Sequence, residues 1–138
     1  MTERRTTVPS EADQLPVLAQ FLLEFWSAAD LPPAQSVPFE IALEEIFMNV
    51  VMHGSPAGRQ GRVEVCLALV DNNLTLAVED DGPPFDPLTV PNPDTQAPLE
   101  ERRVGGLGVY FVRQMMDAVS YRRIGPRNEL RMTKHVAR

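Results

Sequence analysis

The sequence predicts an α+β protein, with a mixed, mainly antiparallel sheet and its helices gathered on one face. Three observations carry this. Two pairs of strand-like runs are joined by turn-forming stretches, "DNN" at 71–73 and "GPRN" at 125–128, and read as β-hairpins. Three other segments repeat apolar residues at helical spacing. The resulting order, β-α-α-β-β-loop-α-β-β, suits an antiparallel sheet covered on one side.

A short strand is expected around Arg5–Val8. In "SEADQLPVLAQFLLEFWSAAD" Leu18, Phe21, Leu22 and Phe25 recur at helix spacing, and Pro16 belongs near the first turn, where its missing N–H does no harm. "LPPAQ" breaks the chain. Ser36 is placed to cap a second helix, with Glu40 near its positive end, running from about Pro38 to His53 and stopped by Gly54. "GRVEVCLALV" and "LTLAVED" form the first hairpin. Residues 81 to 106 read as a long polar, proline-containing loop, and loops of more than about 15 residues in compact domains are usually functional or disordered. "LGVYFVRQMMD" is a short amphipathic helix, and "AVSYRRI" with "ELRMTKHV" closes the sheet as a second hairpin.

Composition narrows the function. The 138 residues, 43% hydrophobic, suffice for one domain spanning 1–138 with a real core. A net charge of −6 argues against a general nucleic-acid binder, and the Arg pairs at 102–103 and 122–123 read as solvated surface. No apolar run approaches the roughly 20 residues that span a bilayer, and "MTERRTTVPSEAD" lacks a signal-peptide core, so no membrane association is expected. Cys66 is the only cysteine. It excludes an internal disulfide, is expected as a small core residue, and fits a reduced, cytoplasmic setting.

Three stretches carry chemistry. Glu45 and Asn49 are four residues apart on a largely apolar helix, about 6 Å along its axis. Such a pair is either an exposed outer stripe or a polar site that needs hydrogen-bond or metal partners. His53 continues the stripe and by itself reads as structural. In "VEDDGPPFDP" two carboxylates end a strand, either to cap a turn or to meet something specific. Gly105, Gly106 and Gly108 sit where the long loop enters a helix. There they serve either an anion, through free N–H groups and the helix dipole, or a flexible hinge.

In this order, "EEIFMN", "DDGPPFDP" and "GGLG" resemble the N, G1 and G2 boxes of the GHKL ATPases, which share the Bergerat nucleotide-binding fold. Within them the chain resembles the compact anti-sigma factor serine kinases, and the resemblance covers roughly residues 8 to 136. It implies a two-layer α/β sandwich. Asp80 would accept a hydrogen bond from the amine of adenine and Gly82 would make room for the ring, with Asp81 a turn residue. Asn49 would be a Mg²⁺ ligand, and Glu45 the general base toward an attacking hydroxyl. Gly105, Gly106, Leu107 and Gly108 would wrap the phosphates of ATP, and residues 87–104 would be the lid. Three departures stand out: Pro84 replaces a common second glycine, Asn128 stands where many relatives carry a threonine near the adenine, and the lid is shorter than in most GHKL enzymes, with no obvious phosphate-binding lysine.

The implied function is an ATP-dependent anti-sigma factor and serine/threonine-protein kinase. It would phosphorylate a STAS-domain antagonist and release itself to hold a sigma factor, a partner switch that regulates transcription. A homodimer is among the expected assemblies, with Arg102 and Arg103 as candidate partner contacts. The alternative is a nucleotide-dependent module that sequesters a partner without phosphoryl transfer.

Overall fold

The computed structural model describes residues 2–54, 58, 60–89 and 106–137. The elements are strand β1 (Thr2–Pro9), helices α1 (Leu15–Ala28) and α2 (Val37–His53), and strands β2 (Arg62–Val70) and β3 (Asn73–Asp80). Helix α3 (Gly106–Met115) and strands β4 (Ala118–Ile124) and β5 (Arg127–His135) follow. The strands form one five-stranded sheet in the order β1-β2-β3-β5-β4, and every described pairing is antiparallel. The expected α+β architecture is borne out.

Both hairpins are present and turn on two residues each, fewer than the stretches "DNN" and "GPRN" read from the sequence. Asp71 and Asn72 adopt φ of 50° and 64°, the left-handed backbone that a type I′ turn requires. Arg127 and Asn128, read from sequence as turn residues, instead begin β5, and Asn128 lies opposite Asp80.

Strand alternation puts Val63, Val65, Leu67 and Leu69 of β2, with Leu74, Leu76 and Val78 of β3, on the face covered by helices. Against them pack Leu18, Leu22, Phe25 and Trp26 of α1 and Phe39, Leu43, Ile46 and Phe47 of α2. Each of these large side chains contributes about 1.5–3 kcal/mol on burial. Trp26 also ties the two helices together: its Nε1 donates to the Pro32 carbonyl at 2.8 Å and its ring lies 5.6 Å from that of Phe39.

Two local expectations need correction. Ser36 does not cap a backbone N–H of α2. A 3-10 turn, Pro33–Ser36, leads straight into the helix, so Ser36 is already helical (φ −72°, ψ −23°) and its hydroxyl faces Glu40 Oε2 at 2.8 Å and the Pro33 carbonyl at 2.9 Å. Cys66 is not in the core. It shares parity with Arg62 and Glu64, so the pleat turns it to the open face of the sheet, 3.6 Å from Glu3 Oε1, where partial burial pushes its thiol up to about 11.

That open face carries a row of like charges. Glu64, Glu79 and Glu129 lie directly opposite one another on β2, β3 and β5, held by Arg5 on Glu64 (3.1 Å) and Arg122 on Glu129 (2.8 Å), with Arg127 only 3.8 Å from Glu79. Burial, then Glu129 and Glu64, raises the Glu79 carboxyl above its ordinary 4.5. In that interval the native state keeps a proton that the unfolded chain has released, so stability falls as pH rises through it. Glu79→Gln is expected to flatten this limb and to stabilise the protein by about 0.2–1 kcal/mol at neutral pH, the scale of a cross-strand charge pair. Urea melts at several pH values measure both.

Candidate nucleotide site

Helix α2 brings Ile46, Asn49, Val50 and His53 to one wall of a cavity of about 30 Å³. The opposite wall comes from the sheet, with Val78 and Asp80 of β3, Tyr121 of β4, and Asn128 and Leu130 of β5, and Pro83, Phe85 and Pro87 close one end. Asn49 is 8% exposed, and no hydrogen bond among the described residues takes its side-chain amide. Of the two readings of the Glu45–Asn49 stripe, an exposed outer pair is therefore excluded for Asn49. His53, one turn further, stacks on Phe85 with ring centroids 3.8 Å apart and planes at 22°.

Glu45 does not line this cavity. It is half-buried one turn before Asn49, and its carboxylate lies against Gly108 in the first turn of α3: a Cβ at Gly108 would come 2.6 Å from Glu45 Cδ. Gly106 and Leu107 belong to the start of α3, while Gly105 lies outside the described residues. So do residues 90–104 of the expected lid, Arg102 and Arg103 among them; residues 87–89 form a single 3-10 turn.

Asp80 and Asp81 diverge, as their places in the pleat require. Asp80 faces the cavity, and its Oδ1 accepts from the Gly82 N–H at 2.9 Å and from Asn128 Nδ2 at 3.0 Å. Asp81 Oδ1 accepts the Arg62 N–H at 2.9 Å, which fastens the end of β2. Gly82 is glycine for a reason visible in its surroundings: a Cβ there would sit 2.9 Å from the Gly54 carbonyl oxygen and 3.0 Å from Asp80 Oδ1. The end of α2 and the turn after β3 thus approach as backbone to backbone.

The β4–β5 hairpin holds this turn from the other side. Asn128, 5% exposed, donates to Asp80 and to the Pro83 carbonyl (2.9 Å) and accepts from the Phe85 N–H (3.2 Å) and the Tyr121 hydroxyl. Arg123 Nη1 donates to the Gly82 carbonyl at 2.9 Å. Tyr121 was not singled out from the sequence, and Arg123 was read there only as half of a solvated Arg pair; it is exposed, but its guanidinium also fastens the turn. A signal existed for Asn128, because it has the parity of Leu130 and Met132 and so had to be an inward polar residue with partners.

No cluster of three or more metal-ligating side chains occurs among the described residues. A Mg²⁺ ion, which keeps waters and takes phosphate oxygens readily, needs no such cage. The Asn49 amide at the cavity wall, which no hydrogen bond among the described residues takes, fits one protein ligand to it.

An amide and an acid thus face each other across a cavity between helix and antiparallel sheet, with a helix that opens on glycine alongside. The model of the histidine kinase-like ATPase domain matches residues 8–134, and the chain belongs to that family, which implies ATP as its nucleotide. The resemblance drawn from the three ordered stretches is borne out. The chain is similar to the serine/threonine-protein kinase BtrW of Bordetella bronchiseptica, 28% identical over 97 residues covering 70% of this chain and 68% of that one. It is similar also to the serine-protein kinase RsbW of Listeria monocytogenes, 30% identical over 84 residues, 58% of this chain and 54% of that one. The RsbU and RsbW domains of Rv1364c from Mycobacterium tuberculosis share its fold, with a TM-score of 0.72 at 15% identity. That match takes in 100% of this chain but only 33% of the other. Among the described residues no helix is long and apolar enough to cross a membrane.

Proposed function

We propose that residues 1–138 form one ATPase domain acting as an anti-sigma factor and serine kinase. It phosphorylates a STAS-domain antagonist and, once the antagonist is modified, holds a sigma factor in the cytoplasm. The observation that carries this reading is the division of labour along α2. Asn49 lies buried at the cavity that Asp80 shares, whereas Glu45 stands outside that cavity against the start of α3.

In this reading Asp80 would meet the amine of adenine, and Asn49 would give an amide oxygen to Mg²⁺, a hard cation that takes oxygen ligands. The metal neutralises phosphate charge when bound. The N–H groups opening α3 at Gly106, Leu107 and Gly108, preceded by Gly105, face the phosphates. Glu45 takes the proton from the attacking serine hydroxyl. Kinase relatives at 28% and 30% identity support the activity class. Incubation with labelled ATP and a STAS-domain protein tests it: label on a serine is the expected result. Tight nucleotide and partner binding with no transfer would instead establish a sequestering module.

Gly108→Ala gives a finer check. The obstructing atoms belong to the far end of the flexible Glu45 side chain, so the fold has room to yield, and alanine gains about 0.5–1 kcal/mol over glycine inside a helix. Thermal unfolding should show unchanged or slightly raised stability. Transfer should fall, by up to about 10²-fold if the base is moved by 1 Å.

A further inference from the structure

Asp80 and Asn128 face each other across the seam between β3 and β5. An amide side chain has two N–H donors and an oxygen with two lone pairs. Asn128 uses all of them: both donors go to Asp80 Oδ1 and the Pro83 carbonyl, and the oxygen accepts from the Phe85 N–H and the Tyr121 hydroxyl. Turning the amide over would set its oxygen against a carboxylate and a carbonyl, and its NH₂ against an N–H. The surrounding groups therefore define one orientation, with nothing left to offer a bound base.

The effect falls on Asp80. Its Oδ1 already receives two donors, the Gly82 N–H and Asn128 Nδ2, and its carboxylate plane is fixed by them. Among the described residues no hydrogen bond reaches Oδ2. A carboxylate oxygen at neutral pH accepts and does not donate. We propose that Asn128, oriented by Tyr121, is a specificity-determining positioning residue: it leaves Asp80 a single acceptor oxygen for the group at position 6 of the purine. An amine there donates to it, whereas an oxo group meets it lone pair to lone pair. The proposal rests on the reading that Asp80 meets the base.

Calorimetric titration with Mg-ATP and with inosine triphosphate, which carries an oxo group in place of the 6-amine, tests it. The wild-type protein is expected to prefer ATP by about tenfold or more. In Asn128→Leu that ratio should fall at least about threefold, because the Asp80 carboxylate still accepts but loses the donor that fixes its plane, with affinity for inosine triphosphate held within about threefold. Asn128→Thr, whose hydroxyl can donate to Asp80, should recover most of the preference. Should Asn128→Leu fail to fold, Tyr121→Phe decides, and a three- to tenfold drop in the ratio, about the worth of one hydrogen bond, is expected. An unchanged ratio in a folded Asn128→Leu or in Tyr121→Phe overturns the proposal. So does an equal loss of both nucleotides, which would make Asn128 a structural support only. A wild-type protein indifferent to the exchange, or an Asp80→Asn variant that keeps the preference, would overturn the base-reading role of Asp80 itself, and those results are distinct from the others.

Discussion

Glu45→Ala is expected to leave ATP and partner binding intact while transfer to a serine hydroxyl falls about 10²–10⁴-fold, the usual range for a lost general base. Glu45 stands apart from the cavity proposed to hold the base. Glu45 is absent from the cavity wall on which Asn49 and Asp80 stand, so no contact with a base seated there is removed. It makes no hydrogen bond among the described residues, and its substitution deletes no buried pair. The fold should tolerate alanine, which is the best helix former, within the interior of α2. Single-turnover transfer and equilibrium ATP binding, measured on the same preparation, decide the matter. Normal transfer would contradict the general-base role. Loss of ATP binding would make Glu45 part of the nucleotide site or of its support. Asn49→Ala should show the opposite pattern, with Mg²⁺-dependent nucleotide binding lost first.

Asp80→Asn should weaken ATP binding between about tenfold and more than a hundredfold. The new amide has no satisfactory orientation. With its oxygen toward the Gly82 N–H and Asn128 Nδ2, its NH₂ confronts the amine of the base. With its NH₂ toward those two donors, the turn after β3 loses the acceptor that organises it. The cost therefore arises whichever way the side chain settles. Asp81→Asn is the control, since an amide oxygen can still accept the Arg62 N–H at that position. Calorimetry that found Asp80→Asn equal to the wild type would remove Asp80 from the base site.

Periodicity and turn chemistry carried most of the fold into view. The alternation in "RVEVCLALV", the positive-φ residues Asp71 and Asn72, and the i, i+4 spacing of Glu45 and Asn49 are local properties, and each appears in the structure where the chain prescribes it. The misplacement of Cys66 was avoidable, because its parity with Glu64 marks the outward face. Ser36 was less accessible: a hydroxyl before a helix caps only if its backbone is extended, and the preceding 3-10 turn removes that condition. The clamp around Asn128 was least legible. Its partners come from β3, from the turn that follows and from β4, and no periodicity links those segments. The close approach of Gly82 to Gly54 is hidden for the same reason.

The seam between β3 and β5 has a consequence for the order of assembly. The β2–β3 and β4–β5 hairpins each close on two-residue turns and need only near neighbours to form. Asp80 and Asn128, by contrast, are 48 residues apart, and their meeting waits for the second hairpin to dock on the first. On the proposed reading that Asp80 meets the base, the chain until then has strands and helices but no place for a purine. Nucleotide would then have affinity only for the docked state and should slow its reopening, adding about RT ln(1 + [L]/Kd) to the stability of that one seam. Amide exchange along β5 should then report ligand occupancy more steeply than exchange in β1, at the far edge of the sheet.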